Sequence, residues 1–150
     1  MSMATQTDTN SDLIRRAFAC VNRADFDAAA ECIAADLVRN GQAMGREGDR
    51  IRDETLAVAF PDLEYTMVDI VAEGDRAAVR WRMTGTHSGD LVGPSITLPA
   101  SGRQLDIWGI SLYRLQNGQV QEIWERFDMM EFLGQLGALD LTGRPAQVSD

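Results

Sequence analysis

Glu125 is the acidic side chain whose sequence setting best suits proton transfer. It lies in an alternating segment, residues 120–127, where Ile123 and Phe127 share its face because alternate strand residues point the same way. A carboxylate between two large apolar side chains loses solvation, which raises its pKa and favours general acid–base catalysis near neutral pH. The alternative is that strand curvature turns Glu125 toward solvent or into a salt bridge.

Asp128 and His87 are two further candidates for proton transfer. Asp128 directly precedes a predicted helix, where aspartate is also a common N-cap. His87 is the only histidine and follows the end of a predicted strand, so it is either a hydrogen-bonded loop residue or a base at a pocket mouth. One histidine without a cluster of acids or thiolates is not a pattern of metal ligands. We therefore expect no metal site.

The first half of the chain has the periodicity of helices. Apolar residues at helical spacing predict a helix over residues 11–22, capped by Ser11 or Asp12, and a short helix capped by Asp25. Residues 36–41 read as a short strand and turn. A third helix, residues 45–59, ends before the proline of "FPD". Its predicted inward residues are Ile51, Thr55, Leu56 and Val58.

The second half alternates with the period of β-strands. Strands are predicted over residues 64–72, 76–86, 104–115 and 120–127, with hairpin turns at "EGD" and "QNGQ". The Gly- and Pro-containing stretch 89–102 reads as a long loop, and residues 129–136 as a closing helix. Helices followed by antiparallel strands predict one α+β domain over residues 11–139. Residues 1–10 are expected to be a disordered leader, and residues 140–150 a loose tail.

Strand alternation separates an inner from an outer sheet face. The inward set of residues 76–86 is apolar: Val79, Trp81, Met83 and Gly85. Arg80 and Arg82 then face outward, where Glu122 and Arg126 are expected to pair with them across strands.

An apolar outer row predicts a homodimer. Trp108, Ile110 and Leu112 alternate with Gly109 and Ser111. If Gly109 and Ser111 face the pocket, the apolar row lies on the outer face, and a contiguous exposed patch of that kind usually marks an interface.

Composition limits the classes of partner and location. The net charge of −9 disfavours nucleic acid and anionic membrane surfaces, which both reward a basic patch. No apolar run approaches the roughly 20 residues that span a bilayer, and the first residues lack the pattern of a secretory signal. Cys20 and Cys32 lie among apolar neighbours in helical segments, which predicts reduced core cysteines and a cytoplasmic protein.

Three segments of the second half carry a family resemblance. They are "GTHSGDLVG", "GISLYRLQNGQVQEIWERFD" and "FLGQLG", and their order and spacing resemble those of the SnoaL-like polyketide cyclase family. The resemblance covers roughly residues 13–139. It implies the nuclear transport factor 2-like fold, a cone in which a curved, mostly antiparallel sheet and N-terminal helices enclose one apolar pocket.

The resemblance also implies a reaction. The family's cyclases close the last ring of aromatic polyketides by intramolecular aldol condensation, without metal or organic cofactor. Their acid/base follows the tryptophan of the last strand, which is the position of Glu125 here. Their histidine after "GI" corresponds to Ser111, which cannot take up a proton near neutral pH. A single acid would then do the work of a pair, which implies slower aldol chemistry or a different reaction in the same pocket.

The expected ligand is an apolar polycyclic small molecule. Its predicted contacts are Asn40, Met44, Trp81, Met83, Trp108, Ser111 and Phe127. Cofactor-free hydroxylases and limonene epoxide hydrolase-like enzymes share the fold. The Asp-Arg-Asp set of the latter is not matched, because Trp81 and Met83 stand at the corresponding strand positions. Two functions without catalysis also fit the sequence: a small-ligand-binding module and a scaffold that supports a dimer.

Overall fold

A curved sheet forms because four long segments alternate buried and exposed side chains with a period of two. In a computed structural model, which describes residues 3–139, strand Gln104–Gln116 alternates almost without interruption from Leu105 to Leu115. The elements in chain order are α1 (Met3–Asn22), α2 (Phe26–Glu31), β1 (Ile33–Arg39), β2 (Gln42–Ala43), α3 (Gly45–Ala59), β3 (Glu64–Glu73), β4 (Arg76–Thr86), β5 (Leu91–Val92), β6 (Thr97–Leu98), β7 (Gln104–Gln116), β8 (Gln119–Phe127) and α4 (Met129–Gln135).

The main sheet has six strands in the order β2-β1-β8-β7-β4-β3. All neighbours are antiparallel except β1 and β8, which pair in parallel. Helix α1 packs on β3 and α3 packs on β1, so the helices cover the concave face. The core between them includes Leu37, Phe60, Val79, Ile107 and Val120. The predicted α+β fold with a curved, mostly antiparallel sheet is confirmed.

Several local predictions agree with the structure. The two-residue turn Asn117–Gly118 has positive φ at both positions, which is the geometry that makes "NG" a hairpin signal. Asp25 accepts a hydrogen bond from the backbone N–H of Ala28 and so caps α2. Cys20 and Cys32 are both buried and free.

The first helix begins earlier than predicted, at Met3 rather than near Ser11. Asn10, expected in a disordered leader, is buried, and its side-chain amide donates to the carbonyl of Gly74 at 3.0 Å. This contact ties the polar start of α1 to the β3–β4 turn. Residues 1–2 and the predicted tail, residues 140–150, lie outside the described residues.

The stretch 89–102 is not the uniform loop that its composition predicts. It contains a small separate hairpin in which Leu91 pairs with Leu98 and Val92 with Thr97. Between residues 3 and 139, no helix is long and apolar enough to cross a membrane.

The outward charged residues pair differently from the prediction. Arg80 binds Asp69, Arg82 binds Asp106, and Glu122 binds Arg114. The prediction of pairing between β4 and β8 was wrong because β7 lies between these two strands and separates them.

The Trp81 ring occupies space that is free only because the residue opposite it on β7 is a glycine. Trp81 lies opposite Gly109, and a Cβ at position 109 would be 2.1 Å from the ring. We expect Gly109→Ala to lower the free energy of unfolding by about 1–3 kcal/mol, because overpacking must displace the ring. Gly134→Ala, in α4 with nothing within 4 Å of the new Cβ, is the matched control and should not destabilise. Urea denaturation measures both; equal midpoints would contradict the prediction.

Candidate active site

A large cavity lies between the concave sheet face, α3, the β5–β6 hairpin and α4. Its volume is about 720 Å³, and most of its wall is apolar. Of the residues predicted to contact a ligand or move protons, six line it: Asn40, Met44, Trp81, Met83, Glu125 and Phe127. The predicted inward phase of β4 and β8 is therefore confirmed.

Glu125 is held by two arginines rather than surrounded by apolar side chains alone. Arg39 Nη1 donates to its Oε2 at 3.2 Å, and Arg52 Nη2 donates to its Oε1 at 3.0 Å. Its side chain is 13% exposed, so these ion pairs are largely shielded from water. The backbone N–H of Glu125 also donates to Asn40 Oδ1 at 2.8 Å, which fixes the strand at this residue.

The prediction of a raised pKa for Glu125 was wrong. Burial alone raises the pKa, but the guanidiniums of Arg52 and Arg39 outweigh it and hold the pKa below its usual range. Glu125 is therefore a carboxylate at neutral pH. The sequence analysis treats a pocket-facing Glu125 and a salt-bridged Glu125 as alternatives, but in the structure Glu125 lines the cavity and forms salt bridges.

Sequence reasoning missed four charged residues that surround Glu125: Arg39, Asp49, Arg52 and Asp53. Arg39 ends β1, which lies beside β8. The other three belong to α3, where residues three and four apart share a face. That spacing is the sequence signal for a charged inward face, whereas the apolar periodicity of α3 predicts a different inward set.

The structure corrects the inward set of α3. Ile51, Thr55 and Leu56 line the cavity as predicted, whereas Val58 is 63% exposed and Asp49, which the prediction left out, is buried. The helix turns its charged stripe inward because Arg39 binds Asp49 Oδ1 through two nitrogens, at 3.0 and 2.7 Å. This forked contact satisfies both charges away from water.

Asp53 is the acid in this cluster with a strongly raised pKa. Burial is the main cause and raises the pKa to about 6, while Arg52, at 3.2 Å from its Oδ1, opposes the effect. Its charged neighbours Asp49 and Glu125 raise the pKa and Arg39 lowers it. Asp53 therefore titrates near the pH at which general acid–base catalysis is effective.

A smaller inner chamber of about 70 Å³ lies behind Glu125, toward α1 and α2. Apolar residues such as Ile14, Phe18 and Ile123 line most of it, and Asp53, Tyr65 and Tyr113 add polar groups. Burial raises the pKa of Tyr65 to about 12, so its phenol stays protonated at neutral pH. The cavity and the chamber share five lining residues: Arg39, Arg52, Tyr65, Trp81 and Glu125.

Ser111 does not contact the space available to a ligand, contrary to the prediction. It is fully buried, accepts a hydrogen bond from Trp81 Nε1 at 2.9 Å, and donates to Glu125 Oε2 at 3.3 Å. Its position behind the Trp81 ring makes it a link that orients both side chains.

The remaining predicted site residues lie outside the cavity. Asp128 Oδ1 accepts the backbone N–H of Glu131 at 3.0 Å and caps α4, so the capping alternative is confirmed. Trp108 projects from the outer face, 46% exposed beneath Arg80 and Arg82, because odd and even residues of β7 face opposite sides.

His87 is a buried residue at the base of the β5–β6 hairpin. Its Nδ1 lies 2.9 Å from Ser101 Oγ and accepts the backbone N–H of Ser101, and its ring packs on Phe60. Burial lowers the pKa of His87. His87 is therefore the hydrogen-bonded loop histidine rather than a base at the pocket mouth. Among the described residues, no His, Cys, Asp or Glu side chains are grouped as metal ligands.

The raised pKa of Asp53 makes stability depend on pH. The folded state holds this proton up to about pH 6, whereas the unfolded chain loses it near 3.8, so the stability from Asp53 is lost as pH rises through this window. Asp53→Asn removes that dependence. Relative to the wild type, we expect the variant to gain about 2 kcal/mol between pH 4 and pH 7. Urea titrations at both pH values test this, with Glu54→Gln on the same helix as control; a constant difference would contradict it.

Comparison with known proteins gives the same fold. The family model described as SnoaL-like polyketide cyclase matches residues 11–136. Among curated proteins, none matches. TsrD from Streptomyces laurentii is 28% identical, with a TM-score of 0.79 over 88% of this chain and 97% of that one.

Two further solved structures are similar. AclR from Streptomyces galilaeus, a proposed hydroxylase, is 27% identical, with a TM-score of 0.76 over 93% of this chain and 100% of that one. IdmH from Streptomyces antibioticus, a proposed polyketide cyclase, is 29% identical, with a TM-score of 0.72 over 85% of this chain and 98% of that one. Since the family model spans most of the sequence, the chain belongs to the SnoaL-like polyketide cyclase family.

Proposed function

We propose that this protein is a cofactor-independent tailoring enzyme that acts on a polycyclic, polyketide-type small molecule by general acid–base catalysis. The observation that carries the proposal is the Glu125 carboxylate, held by Arg39 and Arg52 on the wall of a largely apolar cavity. A cavity of about 720 Å³ lies within the usual range for small-molecule sites.

The mechanism follows from the charge state of Glu125. The ionised carboxylate accepts a proton from an acidic carbon of the substrate, and the resulting enolate attacks a carbonyl carbon of the same molecule. The rings rest against Trp81, Met83 and Phe127, which excludes water from the reacting atoms. Arg39 and Arg52 keep the carboxylate fixed and stabilise negative charge at the cavity wall.

Two features limit the choice of reaction. Ser111, at the position where the family's cyclases carry histidine, lies behind Trp81 and cannot exchange a proton with a ligand. The likeness to AclR, a proposed hydroxylase, favours hydroxylation as the second candidate reaction in the same cavity. A non-catalytic ligand carrier would need the cavity but not the ionised Glu125.

Glu125→Gln separates catalysis from binding. With a tricyclic aromatic ketone that carries a β-keto ester arm, we expect ring closure to slow by about 10²–10⁴-fold, because the amide cannot accept the proton. Affinity for 1,8-dihydroxyanthraquinone, measured by fluorescence, should stay within a few fold. Absorbance and deuterium incorporation at the keto ester carbon follow the reaction.

The matched control is Glu122→Gln, on the outer face of the same strand and paired with Arg114. Full activity of the Glu125 variant, or no turnover by the wild type, would sink the proposed function. Equal binding with no turnover in either protein would instead indicate a ligand carrier.

The proposed assembly is a homodimer through the outer sheet face. Trp108, Ile110, Leu112 and Trp124 are 46%, 59%, 37% and 40% exposed and lie on neighbouring strands β7 and β8. A contiguous apolar patch of this kind is typical of a protein–protein interface. The predicted cytoplasmic location stays a prediction.

Ile110→Asp tests the assembly, because a charge in the centre of the apolar row would be desolvated in the interface. Light scattering should give about twice the 16.5 kDa chain mass for the wild type and the chain mass for the variant. Val92→Asp, at a 60% exposed position of β5, is the control. A wild-type particle of one chain mass across micromolar concentrations would contradict the dimer.

A further inference from the structure

Five ionisable side chains form one buried cluster at the junction of the cavity and the inner chamber. Arg39 and Arg52 supply two positive charges, and Asp49, Asp53 and Glu125 supply three carboxyl groups. Two guanidiniums neutralise two carboxylates, so a third ionised carboxylate would leave a net negative charge out of water. Such a charge is costly, and the cluster avoids it below about pH 6 by retaining one proton.

The hydrogen bonds indicate which acid holds the proton. Asp49 accepts two bonds from Arg39, and Glu125 accepts bonds from Arg39, Arg52 and Ser111. Among the described residues, Asp53 accepts one bond, from Arg52 at 3.2 Å. Arginines are always charged donors, and they stabilise a carboxylate over a carboxylic acid. Asp53 is therefore the member least held in its ionised form.

One guanidinium connects Asp53 with the proposed base. Arg52 Nη1 contacts Asp53 and Arg52 Nη2 contacts Glu125. Both carboxyl groups also line the inner chamber. Its volume of about 70 Å³ exceeds the roughly 10–15 Å³ that one water needs, and Tyr65 and Tyr113 offer further hydrogen-bonding groups.

From this geometry we infer that Asp53 is the general acid of the site, which donates a proton to the substrate, and that Glu125 is the general base, which accepts one. Water in the inner chamber carries the protons that Asp53 gives and receives. The inference rests on the proposed function and assigns the second half of its proton transfer. The sequence analysis expects a single acid, whereas this inference assigns a pair of acids: Asp53 on α3 and Glu125 on β8.

Atoms and charges balance in each step of an aldol closure. Glu125 takes a proton from the acidic carbon, whose electron pair forms the new carbon–carbon bond. The attacked carbonyl becomes an alkoxide and receives the Asp53 proton through water in the inner chamber, which Asp53 and Glu125 both line. The proton on Glu125 then returns to Asp53 through the chamber, which restores both groups. No electrons are gained or lost and no co-reactant is needed.

The groups that face Asp53 make the assignment measurable without a substrate. They are Asp49 and Arg52 on α3, Arg39 on β1, Tyr65 on β3 and Glu125 on β8. Carbon-13 NMR of labelled aspartate should show one carboxyl, absent in Asp53→Asn, that titrates at about pH 6. In Glu125→Gln its pKa should fall, since the neighbouring charge that raises it is gone. A wild-type titration near the pKa of a free aspartate, or no response to Glu125→Gln, would overturn the inference.

Kinetics with the β-keto ester probe tests the role itself. We expect Asp53→Asn to slow turnover about 100-fold while 1,8-dihydroxyanthraquinone still binds within a few fold. Wild-type turnover should fall above about pH 6 as Asp53 loses its proton, and this limb should be absent in the variant. Glu54→Gln, the next residue of α3 and paired with Arg50 at the surface, should keep wild-type rates.

The outcomes separate the two proposals. Full turnover by Asp53→Asn together with an inactive Glu125→Gln would overturn the assignment of Asp53 and leave the proposed function standing. Turnover unaffected by Glu125→Gln would overturn the proposed function. If the wild type does not turn over the probe, the proposed function fails, and the NMR titration alone decides whether Asp53 holds the proton.

Discussion

The buried contacts that Arg39 and Arg52 make with Glu125 are the constraint on which the site depends. They join the end of β1, the inner face of α3 and the C-terminal part of β8 at one point. Removing one partner from such a group is strongly destabilising, because it leaves an uncompensated charge out of water. The positions of these three elements are therefore coupled by charge as well as by apolar packing.

The cluster also divides the interior into two environments. On one side the cavity has an aromatic and aliphatic wall suited to flat rings. Trp81 and Phe127 belong to this wall, and their ring centroids are 6.2 Å apart. On the other side the chamber combines apolar helix residues with phenols and carboxyls. A pair of acids whose environments move their pKa values in opposite directions is a common basis for acid and base roles in one site.

Trp81 connects the charged cluster with the sheet. Its indole N–H donates to Ser111, which in turn donates to Glu125, and its ring occupies the space left by Gly109. Tyr65 packs on the same ring edge-on at 5.6 Å. The packing around Trp81 therefore fixes one wall of the cavity. It also fixes the Ser111 hydroxyl, which is a hydrogen-bond donor to the Glu125 carboxylate.

Much of the architecture was predictable from local patterns, and tertiary structure alone decided the chemistry of the cavity wall. Alternation in β4, β7 and β8 determined the strands and their inward faces, and it placed Glu125 on the cavity wall because strand phase follows from a period of two. The charge state of Glu125 depends on Arg39 and Arg52, which are 86 and 73 residues away in sequence and meet it only through strand order and helix packing. Ser111 is likewise hidden by Trp81, and α3 turns its charged face inward because opposite charges lie there. Local periodicity reports which face of an element is apolar, whereas the pKa of a buried group depends on distances between elements, and those distances are set by the fold.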